Sequence, residues 1–339
     1  MARILSVGTA LPERVVTNTD LEARLGGPPG WIEERTGVRA RRQAANGELA
    51  YHLGTAAARR ALERAGTSPQ DLDAIVFSTM CFDYASPGGG TLVQRELCGR
   101  RPVPAFDLRE QCAGFVYALS LADAFVRAGR MRHVLVVAAE RQHELFLDCE
   151  PVAPVFGDGA GAVVVGPSER DGRGILAVEL GADGRGAEMA IVSCPSIDVF
   201  APEHCHPELA RALDEAAVKP PRGPKLFYWN GAELGRAAVA TMTQSTQAVL
   251  ARVGAGLADV DWFLLHHADR HVIQAVVRRL GVDPARCPST IERYGSATSA
   301  SIPLALADLE ADGRLQPGQL VLLSTFGAGY AWGAAAVRW

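Results

Sequence analysis

No stretch of this 339-residue chain approaches eighteen uninterrupted apolar residues, which argues against a membrane-spanning helix. Clusters of Lys and Arg are also lacking, and the net charge is −4. Neither nucleic acid nor a membrane surface is therefore an expected partner. The seven cysteines include no Cys-x-x-Cys pair, so reduced thiols in a cytoplasmic protein are the economical reading. The start, "MARILSVGTALPERVV", has no basic segment, long apolar stretch or small-residue cleavage motif, and does not read as a secretory signal. "EHCHPE" (203–208) places two histidines around Cys205, but no second ligand group stands at zinc spacing, and no metal is expected.

What the chain does contain is repetition. "DLDAIVFSTM" (71–80) and "DVDWFLLHHA" (259–268) share an acidic residue, an aliphatic one, Asp, and an apolar strand ending in polar residues. "AGRMRHVLVVAAE" (128–140) is answered by "DGRLQPGQLVLLSTFG" (312–327), where Gly-Arg ends a helix and an apolar strand follows. Two pairs in the same order suggest duplication. Uninterrupted apolar strands such as "HVLVVAA", "GAVVVG" and "LVLLSTF" suit sheets covered on both faces. Helices such as "ELAYHLGTAAARRALERAG" (48–66) and "RHVIQAVVRRLG" (270–281) end at capping glycines. Alternating strands and helices predict mainly parallel sheets. Two such α/β halves would pack as α/β/α/β/α, with reactive residues at their junction. Residues 186–227 break the rhythm, either as an insertion covering the site or as a surface excursion.

Four clusters could carry chemistry. Cys112 follows the strand "PVPAFDL" and opens the helical "CAGFVYAL". A helix start favours thiolate over thiol, although free cysteines are commonly buried fillers. His266 and His267, in "LLHHADRH" (264–271), stand where an apolar strand runs out into a loop, a usual place for catalytic side chains. "ERYGSATSASIPLAL" (292–306) is a loop of small and hydroxyl residues, any of which could be a helix cap. "STFGAGYAWGAAAVRW" (324–339) either aims backbone N–H groups at a developing charge or forms a tight hairpin between two core strands.

Together with "GTALPERVVTNTDLE", "WIEERTGVRARR", "FGDGAGAVVV" and "WNGAEL", these segments resemble the β-ketoacyl-acyl-carrier-protein synthase III branch of the thiolase superfamily nearly end to end. The resemblance implies a thiolase fold of duplicated halves in five α/β/α/β/α layers. Residues 1–170 would form the half with the nucleophilic cysteine. Residues 171–339 would form the half with the catalytic histidine, interrupted by the 186–227 insertion. It implies that Cys112 takes an acyl group from acyl-CoA or a phosphopantetheinyl acyl-carrier protein, with the backbone N–H groups of Cys112 and Ala328 as oxyanion hole. His266 would act in the second half-reaction, and Trp31 would stack on the CoA adenine. Phe156, Asn230, Gly231 and His267 are expected to bind substrate or cofactor. Ser86, Gly88, Gly89 and Gly90 lie where the family places its acyl channel and dimer contact, and the three glycines either widen the channel or form a flexible turn. A homodimer is expected, with no tightly bound cofactor and CoA or carrier-protein thioesters as substrates.

Two departures from the family pattern bear on the reaction. Ser296 stands where condensing members carry an asparagine whose amide, with the histidine, stabilises an enolate. Serine is shorter and offers one rotating donor. Asp269 replaces the family's asparagine three residues after the histidine. It could orient His266 as a general base or merely cap the following helix. Two enzymatic readings follow: Claisen-type condensation with a carbon nucleophile, or transfer of the acyl group to a hydroxyl or amine. A third reading, a silent partner subunit, is opposed by the presence of both Cys112 and His266.

Overall fold

The computed structural model describes residues 1–146, 153–169, 172–192 and 227–339. In chain order its strands are β1 (Ala2–Ala10), β2 (Arg14–Thr17), β3 (Ala40–Gln43), β4 (Ala74–Ser78), β5 (Ala105–Leu108), β6 (Val134–Glu140) and β7 (Gly159–Pro167). They continue as β8 (Gly174–Ala182), β9 (Ala190–Val192), β10 (Phe227–Trp229), β11 (Trp262–Leu265), β12 (Leu320–Gly327) and β13 (Ala331–Arg338).

Two large sheets carry the fold, one ordered β1-β7-β6-β4-β5 and the other β8-β13-β12-β11. Taken in that order, the first four strands of each correspond: two antiparallel pairings, then a parallel one. The repeated sequence segments occupy equivalent strands, β4 with β11 and β6 with β12. Their shared aspartate has a shared task. The Asp73 carboxylate accepts from the Arg132 and His133 N–H groups just before β6, and the Asp261 carboxylate accepts from the Leu320 N–H at the start of β12. In each half one carboxylate fixes the register of the neighbouring parallel strand.

The sheets are mixed rather than mainly parallel, which corrects the sequence reading. β7 and β13 run antiparallel to both of their neighbours. A strand buried on both faces reads as a continuous apolar run whichever way its neighbours point, so hydrophobicity alone could not give direction. "STFGAGYAWGAAAVRW" is the hairpin of β12 and β13.

The helix Ala50–Ala65 covers one face of the first sheet, and the helix Gly231–Arg252 covers the outer face of the second. Between the sheets lie the helices Gly114–Arg127 and Ser301–Ala311, which touch strands of both. This is the five-layer thiolase arrangement. The central apolar cluster joins both halves, with Val76, Phe115 and Leu119 packed in one group with Leu264, Leu304 and Val321. Packing there is close: a Cβ on Gly161 of β7 would fall 2.6 Å from the ring of Pro303, so that strand can meet the central helix only as glycine.

Each central helix is entered by a single tight turn, Gln111–Ala113 in the first half and Thr298–Ala300 in the second. Gln111 and Thr298 have φ of +45° and +43°. Such values are uncommon outside glycine, and the two lie at matching places in the duplicated halves.

Candidate active site

Strand ends from both halves converge on one cavity. Beyond β5 the turn Gln111–Ala113 delivers Cys112 to the start of the helix Gly114–Arg127. His266 follows β11, and its N–H still bonds to the Ser324 carbonyl of β12 at 2.8 Å, so the sheet fixes its backbone. Gly327 closes β12. A Cβ there would sit 3.1 Å from the Cys112 nitrogen and 3.2 Å from that of Ala113, so the halves meet backbone to backbone at the thiol. Ser296 is pinned by its N–H to the Val155 carbonyl at 2.8 Å and by the Gly157 N–H to its own carbonyl at 3.1 Å.

The cavity has a volume of about 340 Å³ and is lined by Cys112, His266, Ser296, Asp269 and Ala328, a size suited to a small ligand. Met80, Phe146, Phe156, Trp229 and Phe326 give it a largely apolar wall. Phe146 and Phe156 stack with centroids 4.2 Å apart. The described ends of the 186–227 insertion, β9 and β10, pair antiparallel, and Ala190, Ile191, Val192 and Trp229 border the cavity. "EHCHPE" lies outside the described residues. Among the described residues no group of three or more metal-ligating side chains occurs.

The ionisation state of the thiol differs from the sequence expectation. Burial, reinforced by the charge of Glu140, pushes the Cys112 thiol up to about 12. It is a thiol at rest, because the charged form loses more in leaving water than the helix start returns. Burial, with His267 adding to it, holds His266 down to about 3, against a hydrogen bond with the Thr298 backbone. The imidazole is neutral across the physiological range, and its Nδ1 has no hydrogen-bond partner among the described residues.

Other expected residues are placed as follows. The Asp269 carboxylate accepts from the Val272 N–H at 2.8 Å and caps the helix Arg270–Leu280. Among the described residues it makes no ion pair with His266, so its visible task is the cap and not the orientation of the base. His267 turns away from the cavity to the Thr290 hydroxyl at 3.0 Å, because successive side chains leaving a strand face opposite ways. Phe156 and Gly231 line the cavity, whereas Asn230 caps the helix behind it through the Glu233 N–H at 3.2 Å. Trp31 packs in a satellite cluster with Val16, Leu21 and Ile32, with the Arg35 guanidinium 5.6 Å from its ring centroid. It does not line the cavity.

The Ser86–Gly90 segment does not border the cavity of this chain either. A Cβ on Gly88 would come 2.8 Å from the Asp107 carboxylate, and one on Gly89 2.5 Å from the Phe77 ring. That carboxylate accepts from the Gly89 and Gly90 N–H groups at 2.8 and 2.7 Å. The glycines let the helix Gly89–Cys98 approach β4 and β5.

Sequence reasoning missed Glu140 and Gln142 behind the site, and Arg109 and Trp229 on its wall. Glu140 had a signal: a carboxylate closing the otherwise apolar "HVLVVAAE" needs partners if buried.

Sequence profiles for 3-oxoacyl-[acyl-carrier-protein] synthase III match residues 106–184, and for its C-terminal part residues 250–339. The chain is 37% identical to the β-ketoacyl-[acyl-carrier-protein] synthase III of Brucella canis, over 99% of this chain and 98% of that one. The chain belongs to the β-ketoacyl-acyl-carrier-protein synthase III family. The synthase III of Rhizorhabdus wittichii is likewise 37% identical, covering 100% and 99% of the two chains. Among solved structures, the synthase III of Thermus thermophilus superposes with a TM-score of 0.87 at 36% identity, covering 99% of each chain. The priming β-ketosynthase of the R1128 polyketide pathway gives 0.87 at 35%, covering 99% and 96%. The two synthase III profiles cover the segments bearing Cys112, His266, Ser296 and Ala328, and leave the 186–227 insertion between them.

Proposed function

We propose that this chain is an acyl-condensing transferase of fatty-acid or polyketide-type metabolism. It loads an acyl group onto Cys112 from a carrier-protein or CoA thioester and passes it to a carbon nucleophile. The convergence of Cys112, His266, Ser296 and Ala328 on one cavity supports this reading, in a chain whose relatives are named β-ketoacyl synthases. In the first step the Cys112 sulfur attacks the thioester carbonyl, and the backbone N–H groups of Cys112 and Ala328 take up the charge on its oxygen. The donor sulfur leaves as a thiol with the proton that Cys112 gives up, and an S-acyl cysteine remains. In the second step a carbanion formed as a malonyl-type thioester loses CO₂ attacks that acyl carbon, the C–S bond breaks, and the Cys112 sulfur takes up a proton from solvent to return to the thiol. His266 lines the same cavity, its imidazole hydrogen-bonded to the Thr298 backbone, and Ser296 offers a hydroxyl. Intact-mass measurement with acyl thioesters should show one acyl adduct on the wild type and none on Cys112→Ala. Undiminished loading of that variant would remove the basis of the proposal.

A second reading is favoured by one observation: Ser296, not an amide, stands beside a neutral imidazole with an unpartnered Nδ1. The serine hydroxyl supplies less to an enolate than an amide would, and the bare imidazole nitrogen is an acceptor for the proton of an incoming hydroxyl or amine. Product mass after giving the loaded enzyme a malonyl-type carrier thioester, or a hydroxyl or amine acceptor, separates the two.

Carrier-protein or CoA thioesters are the proposed substrates, with no tightly bound cofactor, and the proposed location is the cytoplasm. Among the described residues no helix is long and apolar enough to cross a membrane. Among the described residues β5 pairs on one side only and carries exposed Phe106, and Phe82 and Tyr84 are exposed on the loop after β4. Apolar side chains along an unpaired edge support a homodimer.

A further inference from the structure

Glu140 ends β6 wholly buried behind the cavity wall. Its carboxyl receives the Ser299 hydroxyl at 2.6 Å, the Met80 N–H at 3.1 Å, the Gln142 amide at 3.2 Å and the Thr79 hydroxyl at 3.3 Å. The same Gln142 nitrogen donates to the Thr298 hydroxyl at 2.9 Å. Thr298 is held at a φ of +43°, a conformation a β-branched residue keeps only where its surroundings impose it. Its backbone hydrogen-bonds the His266 imidazole. On the other side, the charge of Glu140 acts on the Cys112 thiol. One carboxyl outside the cavity thus reaches both reactive side chains, one through hydrogen bonds and one through its field.

We propose that Glu140 is a positioning residue coupling the two halves of the site: its hydrogen bonds lock the Thr298–Ala300 turn behind His266, and its negative charge restrains the ionisation of Cys112. The pseudo-symmetry of the fold relates the position of Glu140 to that of Gly327. Gly327 on β12 abuts the turn that bears Cys112, and Glu140 on β6 meets the matching turn at Ser299. The strand end at the reactive turn is bare backbone, and the strand end at its counterpart supplies a carboxyl.

Burial pushes the Glu140 carboxyl up to about 7, against hydrogen bonds from Ser299, Thr298, Met80 and Thr79. It therefore changes charge near neutral pH. The other ionisable groups around the pair come from several elements. Cys81 follows β4 and Asp158 precedes β7; Cys81 feels the charges of both Glu140 and Asp158. Arg109 and Glu110 precede Cys112. Arg141, paired with Glu144, and His143, paired with Asp158, follow β6. His266 and Asp269 face Cys112 across the cavity.

The first test needs no acyl chemistry. Glu140→Gln removes the charge and keeps the shape. Iodoacetamide alkylation of Cys112, followed by residue-resolved mass spectrometry across a pH series, should then run about tenfold faster above neutral pH than in the wild type, the effect of one unit in thiol pKa. Glu140→Asp keeps the charge but withdraws it by one methylene. Its alkylation profile should overlay the wild type, while discharge of the acylated Cys112 to its acceptor slows about tenfold, the effect of a slightly misplaced group. A Glu140→Gln profile identical to wild type, or wild-type discharge by Glu140→Asp, overturns the proposal; should Glu140→Gln not fold, Glu140→Asp decides alone. The discharge readout rests on the acyl-transfer reading. If wild-type enzyme forms no acyl adduct, that reading fails by itself, and the alkylation comparison still decides the role of Glu140.

Discussion

Helix start and desolvation act on the Cys112 thiol in opposite directions, and their sizes decide the outcome. A charge at a helix terminus is stabilised by roughly 0.3–2 kcal/mol. Raising the thiol from 9.0 to about 12 corresponds to about 4 kcal/mol against the thiolate. Cys112, the proposed nucleophile, is therefore a thiol at rest, and neutral His266 lines the same cavity. Ser296 poses the other question at this scale. One oxyanion donor is worth about 3–4 kcal/mol in a transition state, and a serine hydroxyl free to rotate supplies less than an amide. Ser296→Asn should therefore raise decarboxylation of a malonyl-type thioester by roughly 10², measured as CO₂ release. No rise would mean that position 296 does not limit that step.

Elements decide which of the expected residues can meet. Two strand-to-helix turns, each with one residue at positive φ, set the backbone of Cys112 in one half and of Thr298 in the other. The side chain after His266 was readable as a ligand-binding group from sequence, yet strand geometry turns it to Thr290. β5 bears on assembly. It is a short strand at the edge of its sheet, and Phe106 lies exposed on it. If that edge joins two copies, Phe106→Lys should shift the solution mass measured by light scattering from two chains toward one, because charge on an edge opposes strand pairing. A wild-type mass of one chain would exclude the homodimer.

On the scale of the whole molecule, burying titratable groups between two sheets links stability to pH. Burial holds His267 down to about 4. Between about 6.5 and 4 the unfolded chain therefore binds a proton that the native state does not, and stability falls as pH falls through that window. The Glu140 carboxyl, pushed up to about 7, acts with the opposite sign: the native state keeps a proton that the unfolded chain releases above about 4.5. His267→Asn should reduce the acid-induced loss of stability by about 3 kcal/mol over its window, read from urea unfolding at a series of pH values. An unchanged slope would show that His267 is not buried neutral.

Much of the fold was legible because its causes are local. "DLDAIVFSTM" and "DVDWFLLHHA" each carry the aspartate that fixes a neighbouring strand, so the duplication is written into short segments. Cys112 and His266 stand at strand ends, where an apolar run stops and a side chain can face a cavity. By itself the sequence determined the two-half α/β architecture and the family, and it singled out Cys112 and His266 as candidates. Only the tertiary structure decided that the sheets are mixed, that Asp269 caps a helix, that Gly88–Gly90 serve packing, and that Glu140 is buried against the Thr298–Ala300 turn. Burial, field and strand direction depend on residues far apart in the chain, and the spacing along one segment does not contain them.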